Sequence, residues 1–220
     1  MAAVACALVV PILMVALNAC GSSSTAATSF GNVDAGSRGD AAVPAPPIDA
    51  SAAIDGQKTP TCGSYCADIM SNCVGRQQQY ATTAECLQVC ALLPPGGGGD
   101  LRGDSLECRA YFASDPARTA PAIHCASAGP FGNEVCGGRC EAFCGLVMAT
   151  CGADSPYGSA ADCKAACSTM PGYPYDADAG EGPDASAVGN TLNCRVAVLR
   201  QALGDHALCS ALGAQSAACR

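Results

Sequence analysis

Tryptophan is absent from this chain of 220 residues, and the aromatic side chains are few: six Tyr and four Phe. Basic residues are also scarce, with 11 Lys and Arg against 19 Asp and Glu, a formal charge of −8. A nucleic-acid binder needs a basic footprint and stacking rings, so this balance excludes that class. No nucleophile elbow, phosphate-cradling glycine loop or paired-histidine metalloprotease motif occurs. Cys-x-x-Cys is missing as well, which argues against a thioredoxin-type redox centre and against covalent haem. With no catalytic set and no cofactor motif, the chain is expected to be neither an enzyme nor the holder of a cofactor.

What is present in excess is cysteine. Its 18 copies, with 25 glycines and 14 prolines, make about one residue in twelve a Cys. That density belongs to disulfide or metal scaffolds.

The first 19 residues carry no charge, and their apolar run from Ala2 to Leu17 is interrupted only by Pro11. The run suits a signal-peptide core and is short for a membrane span of about 20 residues. It ends Leu17-Asn18-Ala19-Cys20 and continues Gly21-Ser22-Ser23-Ser24, which resembles a bacterial lipobox. The resemblance implies cleavage before Cys20, a diacylglycerol on its sulfur and attachment to a membrane. An ordinary secretory signal and an uncleaved anchor are the competing readings, and all three place the rest of the chain outside the cytoplasm. Residues 20–61 then hold the anchor site and a linker rich in Ala, Ser, Gly, Asp and Pro, with Phe30 its only aromatic. Such a segment cannot bury enough apolar surface to offset its ordering entropy. It is expected to be a disordered spacer reaching roughly 35 Å.

From Cys62 the cysteines repeat in register. The set Cys62, Cys66, Cys73, Cys86, Cys90, Cys108, Cys125 and Cys136 is followed by Cys140, Cys144, Cys151, Cys163, Cys167, Cys194, Cys209 and Cys219. The early gaps are 3, 6, 12 and 3 intervening residues against 3, 6, 11 and 3. Tyr65 matches Phe143, Met70 matches Met148, Tyr80 matches Tyr157, Cys108-Arg109 matches Cys194-Arg195, and Gly129 matches Gly213. The chain therefore carries an internal duplication, with modules at 62–136 and 140–220. Sixteen cysteines fall in the two sets, leaving Cys6 and Cys20 outside, and even parity is what disulfide pairing requires.

The spacing of Cys62, Cys66, Met70 and Cys73, and of Cys140, Cys144, Met148 and Cys151, predicts one helix face in each module. A second helix is expected after Thr82-x-x-Glu85, a capping box, and after Ser159-x-x-Asp162, a near version of one. It carries Cys86 and Cys90, or Cys163 and Cys167, and stops before Pro94 or Pro171. A third helix is expected to start at Ser105 or Thr191. The fold class is thus small and all-α, two tandem disulfide-rich helical modules that would be marginal without staples. An antiparallel hairpin of the first two helices predicts Cys62–Cys90 with Cys66–Cys86, and Cys140–Cys167 with Cys144–Cys163.

This cysteine run, followed by a Gly-rich loop, Cys-Arg and His124-Cys125-Ala-x-Ala-Gly-Pro130, resembles the cysteine-rich lipoproteins of gliding, predatory myxobacteria. The resemblance covers residues 1–136 well and 140–219 more loosely. It implies an exported, envelope-anchored protein and transfers no reaction.

The remaining features read more simply as structure than as sites. His124 and His206 lie just before the seventh cysteine of their modules and read as surface or capping histidines. The loop Asp176-Ala-Asp178-Ala-Gly180-Glu181 with Asp184 lacks calcium-loop spacing and reads as a solvated acidic loop. Arg102-Gly103-Asp104 and Arg38-Gly39-Asp40 spell an adhesion tripeptide, which chance explains in a Gly- and Asp-rich chain. Arg109 and Arg195 are each expected to pair with a local carboxylate. The leading expectation is a non-enzymatic envelope lipoprotein, a stapled repeat scaffold presenting loops to an envelope protein partner. The alternative is a thiolate store for copper(I), because cysteines one helical turn apart can present soft ligands to a soft metal.

Overall fold

The computed structural model describes residues 59–185 and 188–220. The signal segment, Cys20 and the tether as far as residue 58 lie outside the described residues. Eight α-helices and no strand occur among the described residues.

In the first module α1 spans Cys62–Asn72 and α2 spans Thr83–Cys90, followed by α3 at Leu106–Ala113. Each begins on a hydroxyl that satisfies a free amide of the first turn. The Thr61 hydroxyl accepts from Ser64 N (3.1 Å), and the Ser64 hydroxyl accepts from Thr61 N (3.0 Å), a reciprocal box built from Thr and Ser. At α2 the Thr82 hydroxyl accepts from Glu85 N (3.1 Å), but Glu85 accepts from Ala81 N (2.7 Å), one residue earlier than a standard box. Ser105 caps α3 through Cys108 N (3.2 Å).

Two further helices, α4 at Asp115–Thr119 and α5 at Pro121–Ala128, were not anticipated. Both begin with a proline in their first turn, where its missing N–H costs nothing. The second module runs α6 (Arg139–Cys151), α7 (Ala160–Ser168) and α8 (Leu192–Ala202), capped in the last two cases by Ser159 and Thr191. Where the first module has α5, the second has a 3₁₀ segment at His206–Leu212.

Eight disulfides hold these elements together. In the first module Cys62 is joined to Cys90, Cys66 to Cys86, Cys73 to Cys125 and Cys108 to Cys136. In the second, Cys140 is joined to Cys167, Cys144 to Cys163, Cys151 to Cys209 and Cys194 to Cys219. The pattern is the same in both modules and no bridge crosses between them. Cysteines one turn apart on each arm of a helix hairpin meet outer to outer and inner to inner. The next pair ties the end of α1, or α6, to the segment near the seventh cysteine.

The apolar core, by contrast, does not respect the module boundary. One buried cluster runs from Ile69, Val89 and Phe131 to Leu146, Val147 and Leu199. Between Val89, Phe131, Leu146 and Leu199 a cavity of only about 10 Å³ remains. Charged groups close this seam. Arg200 on α8 bonds Glu85 on α2 and donates to the carbonyls of Gln79 (2.7 Å) and Glu181 (2.7 Å). The backbone of Gly182 lies so close to the Gln78 carbonyl that a Cβ there would collide with it.

Candidate functional site

Each module is locked around a carbonyl next to its matched glycine, Gly129 or Gly213. In the first module the Tyr65 hydroxyl on α1 donates to the Ala128 carbonyl (2.7 Å) and pairs with the Tyr80 hydroxyl (2.8 Å). Both rings are fully buried and meet edge to face. Burial pushes the Tyr80 hydroxyl from its ordinary 10.0 to about 12, and raises Tyr65 well above its usual range for the same reason. In the second module Phe143 stands where Tyr65 stood and offers no hydroxyl. Tyr157 itself donates to the Leu212 carbonyl (2.8 Å), and its partner is Tyr173 from the loop after α7 (2.8 Å). Burial raises Tyr157 too.

The paired arginines work beside these hydroxyls. Arg109, fully buried, donates through Nε to Gly129 O (3.1 Å) and through Nη1 to Ser105 O (3.1 Å). Its Nη2 reaches Asp104 Oδ1 (2.6 Å) and Pro130 O (3.0 Å). A guanidinium cannot discharge, so burial demands this full set of acceptors. Arg195 corrects the expectation of a carboxylate partner: the residue matching Asp104 is Asn190, whose amide oxygen accepts from Nη2 (2.8 Å). Carbonyls of Thr191 and Gly213 take two more bonds, and the guanidinium lies 3.5 Å from the Tyr173 ring centroid. A ring face and neutral dipoles replace the missing charge.

The sequence singled out several other groups, and the structure places them apart from one another. His124 stacks on Phe112, with centroids 5.6 Å apart, and His206 is exposed at the start of the 3₁₀ segment. In the adhesion-like tripeptide, Asp104 is turned inward onto Arg109. The second tripeptide, at Asp40, lies outside the described residues. In the acidic loop, Asp176 Oδ1 accepts from Asp178 N (3.0 Å), while Glu181 turns away to bond Arg139. Burial raises the Glu181 carboxyl despite that pairing. Arg139, which burial alone would lower, is raised on balance by its bond and attraction to Glu181, and it faces the Tyr175 ring at 3.9 Å. No group of three or more His, Cys, Asp and Glu is arranged to hold a metal among the described residues.

The loops between second and third helices are braced rather than free. Leu106 N donates to Pro94 O (2.7 Å), and Leu192 N donates to Pro174 O (3.0 Å). In the second module Asn193 accepts from Asp176 N (2.8 Å) and donates to the carbonyls of Asp176 (3.0 Å) and Gly180. In the first module the matching residue, Glu107, accepts only from Gly99 N (3.3 Å).

This geometry defines a class, a disulfide-stapled helical scaffold whose buried arginines are held by backbone carbonyls, although Arg195 Nε and Arg200 Nε have no partner among the described residues. A family model described as the BfoA family C-terminal domain matches residues 48–140. The matched span takes in all eight cysteines of the first module and ends on Cys140, the first of the second. No curated protein and no solved structure matches the chain.

Proposed function

We propose that the chain is a non-enzymatic lipoprotein of the cell envelope, exported and held at a membrane by a lipid on Cys20. Its two modules form a stapled scaffold that presents loops to an envelope protein. The observation that carries this reading is the bridge set: all sixteen module cysteines sit in eight disulfides, with Cα–Cα distances of 5.6 to 5.9 Å. Bridges in this number persist in an oxidising compartment and fit an exported protein. The lipobox at Cys20 and the resemblance to myxobacterial lipoproteins support the anchor.

A thiolate copper(I) store would need free sulfur ligands. Here each of those sulfurs is bonded to another. The full chain, exported to an oxidising periplasm and alkylated under denaturing conditions without reductant, is expected to take up no alkyl groups on its module cysteines. Its mass is expected to lie two hydrogens per bridge below the reduced form. Many reactive thiols, or copper co-purifying with the chain, would overturn the scaffold reading. The anchor is tested separately: Cys20→Ala is expected to move the exported chain from the detergent phase to the aqueous phase.

A further inference from the structure

The modules differ in chemistry along the groove between α1 and α3 and its counterpart between α6 and α8. In the first module this groove encloses about 260 Å³ at the end of the tether. Asp68 and Glu107 line it from the two helices, with the Tyr111 ring and the hydroxyls of Thr61 and Ser64. No Lys or Arg is among its lining residues, and neither carboxylate has an ion-pair partner among the described residues. Glu107 is only 6% exposed, yet one oxygen has a single long backbone bond and the other has no partner among the described residues. The unpartnered oxygen is not among the fully buried polar atoms, and the residue lines the groove, so that oxygen can accept from a group entering it.

The second module shows that bracing the loop does not require that carboxylate. Asn193 stands at the Glu107 position, one residue before the sixth cysteine, and braces its loop as a neutral amide. Asp68 is matched there by Leu146, Tyr111 by Ala197, Ser64 by Ala142 and Thr61 by Arg139. Both carboxylates of the first groove are therefore lost in the second copy and a cation is added at Arg139, whereas the Tyr65 ring persists as Phe143. The cysteines, the caps of the second and third helices and the arginine are retained, and the side-chain cap of the first helix is not.

We propose that the groove between α1 and α3 binds a cationic side chain, the ammonium of a lysine or the guanidinium of an arginine on a partner peptide. The proposal rests on the scaffold reading and names the chemistry of its partner. Two carboxylates and an electron-rich ring on one concave face satisfy such a group by charge-assisted hydrogen bonds and a ring contact. The net charge of −8 attracts a basic partner from a distance.

The test is an amide-shift titration of the full ¹⁵N-labelled chain with an acetylated, amidated Gly-Arg-Gly peptide, its lysine counterpart and its neutral citrulline counterpart. Shifts are expected at residues 61–68 and 107–114 with the charged peptides and not with citrulline. Glu107→Gln and Asp68→Asn are each expected to weaken binding about tenfold. Asp154→Asn, an exposed carboxylate of the second module, is expected to leave it unchanged. If Glu107→Gln unfolds, Asp68→Asn, on a half-buried surface, carries the test alone. Equal weakening by Asp154→Asn, or equal binding of citrulline, would reduce the effect to diffuse attraction and overturn the proposal. Binding seen only after Lys58→Gln would mean that the chain's own lysine fills the groove, which also overturns it. None of these failures would alter the thiol count, so the scaffold reading is judged separately.

Discussion

The two modules share a bridge pattern and a set of helix caps, yet they satisfy their interiors with different side chains. In the first, a tyrosine on α1 reaches across the bundle to the Ala128 carbonyl, and the buried arginine has a carboxylate partner in Asp104. In the second, the α1 tyrosine has become Phe143, and the carbonyl is reached by Tyr157, which sits at the Tyr80 position. The second hydroxyl comes from Tyr173, a residue of the long loop, and the same ring covers the arginine. The invariants are the backbone carbonyl that needs a donor and the guanidinium that needs acceptors. Which residue supplies them is free to change, provided that some residue does. The comparison explains why the longer loop of the second copy is more than filler: it provides the ring that replaces Asp104.

The largest effect expected from breaking this comparison is on the bridges. Replacing both Cys73 and Cys125 with Ser removes a link across 52 residues, and replacing both Cys66 and Cys86 removes one across 20. The chain-entropy account assigns about 4 kcal/mol to the longer closure and about 1 kcal/mol less to the shorter. Denaturant unfolding of the two double variants should keep that order, and the Cys151–Cys209 pair should behave like Cys73–Cys125.

The arginines come next. Arg109→Met strands Asp104 and three carbonyls and is expected to cost about 3 kcal/mol, because breaking a buried pair leaves a charge uncompensated. Arg195→Met strands no charge and removes the cost of burying one, so about 1–2 kcal/mol is expected. Asn190→Asp would restore in the second module the charge present in the first. It should stabilise that module by about 1 kcal/mol through a charge-assisted bond, measured as a rise in unfolding midpoint. A loss of stability on Asn190→Asp would show that the Tyr173 ring already replaces the carboxylate fully.

The tyrosine hydroxyls set the smallest differences. Tyr65→Phe and Tyr157→Phe should each cost about 1–2 kcal/mol, whereas Phe143→Tyr should gain nothing, because its target carbonyl is already taken by Tyr157. The buried hydroxyls also link stability to alkaline pH. Tyr80 titrates near its ordinary 10.0 when unfolded and at about 12 when folded. Folding therefore holds its proton, and this contribution is complete below pH 10.0 and lost as pH rises toward about 12. The part of the tyrosinate absorbance that Tyr80→Phe removes should appear together with the loss of helical circular dichroism; phenolate appearing at Tyr80 while the helices persist would sink the buried-lock account.

Much of the bridge pattern was legible before the fold was known. Cysteines four residues apart mark one helix face, and two such faces in an antiparallel hairpin can meet in only one sensible order. The starts of α2, α3, α7 and α8 were legible too, because Thr82, Ser105, Ser159 and Thr191 each stand just ahead of a helical run. Helices α4 and α5 were not, since they are short, proline-led and carry no long apolar period. The partners of Cys73 and Cys108 were equally hidden, as widely spaced single cysteines hold no local geometric information. Glu107 gave no signal until its counterpart Asn193 was seen bracing a loop.

The chain alone, through spacing and caps, determined that two copies of one small helical module exist and how their hairpins close. These are local matters, settled within one or two turns of helix. Only the tertiary structure decided that the two copies share one core, that Asp104 faces inward and that Arg195 lacks a carboxylate. Those outcomes depend on which side chain from a distant segment arrives at a buried dipole, and burial makes an unpaired dipole too costly to leave.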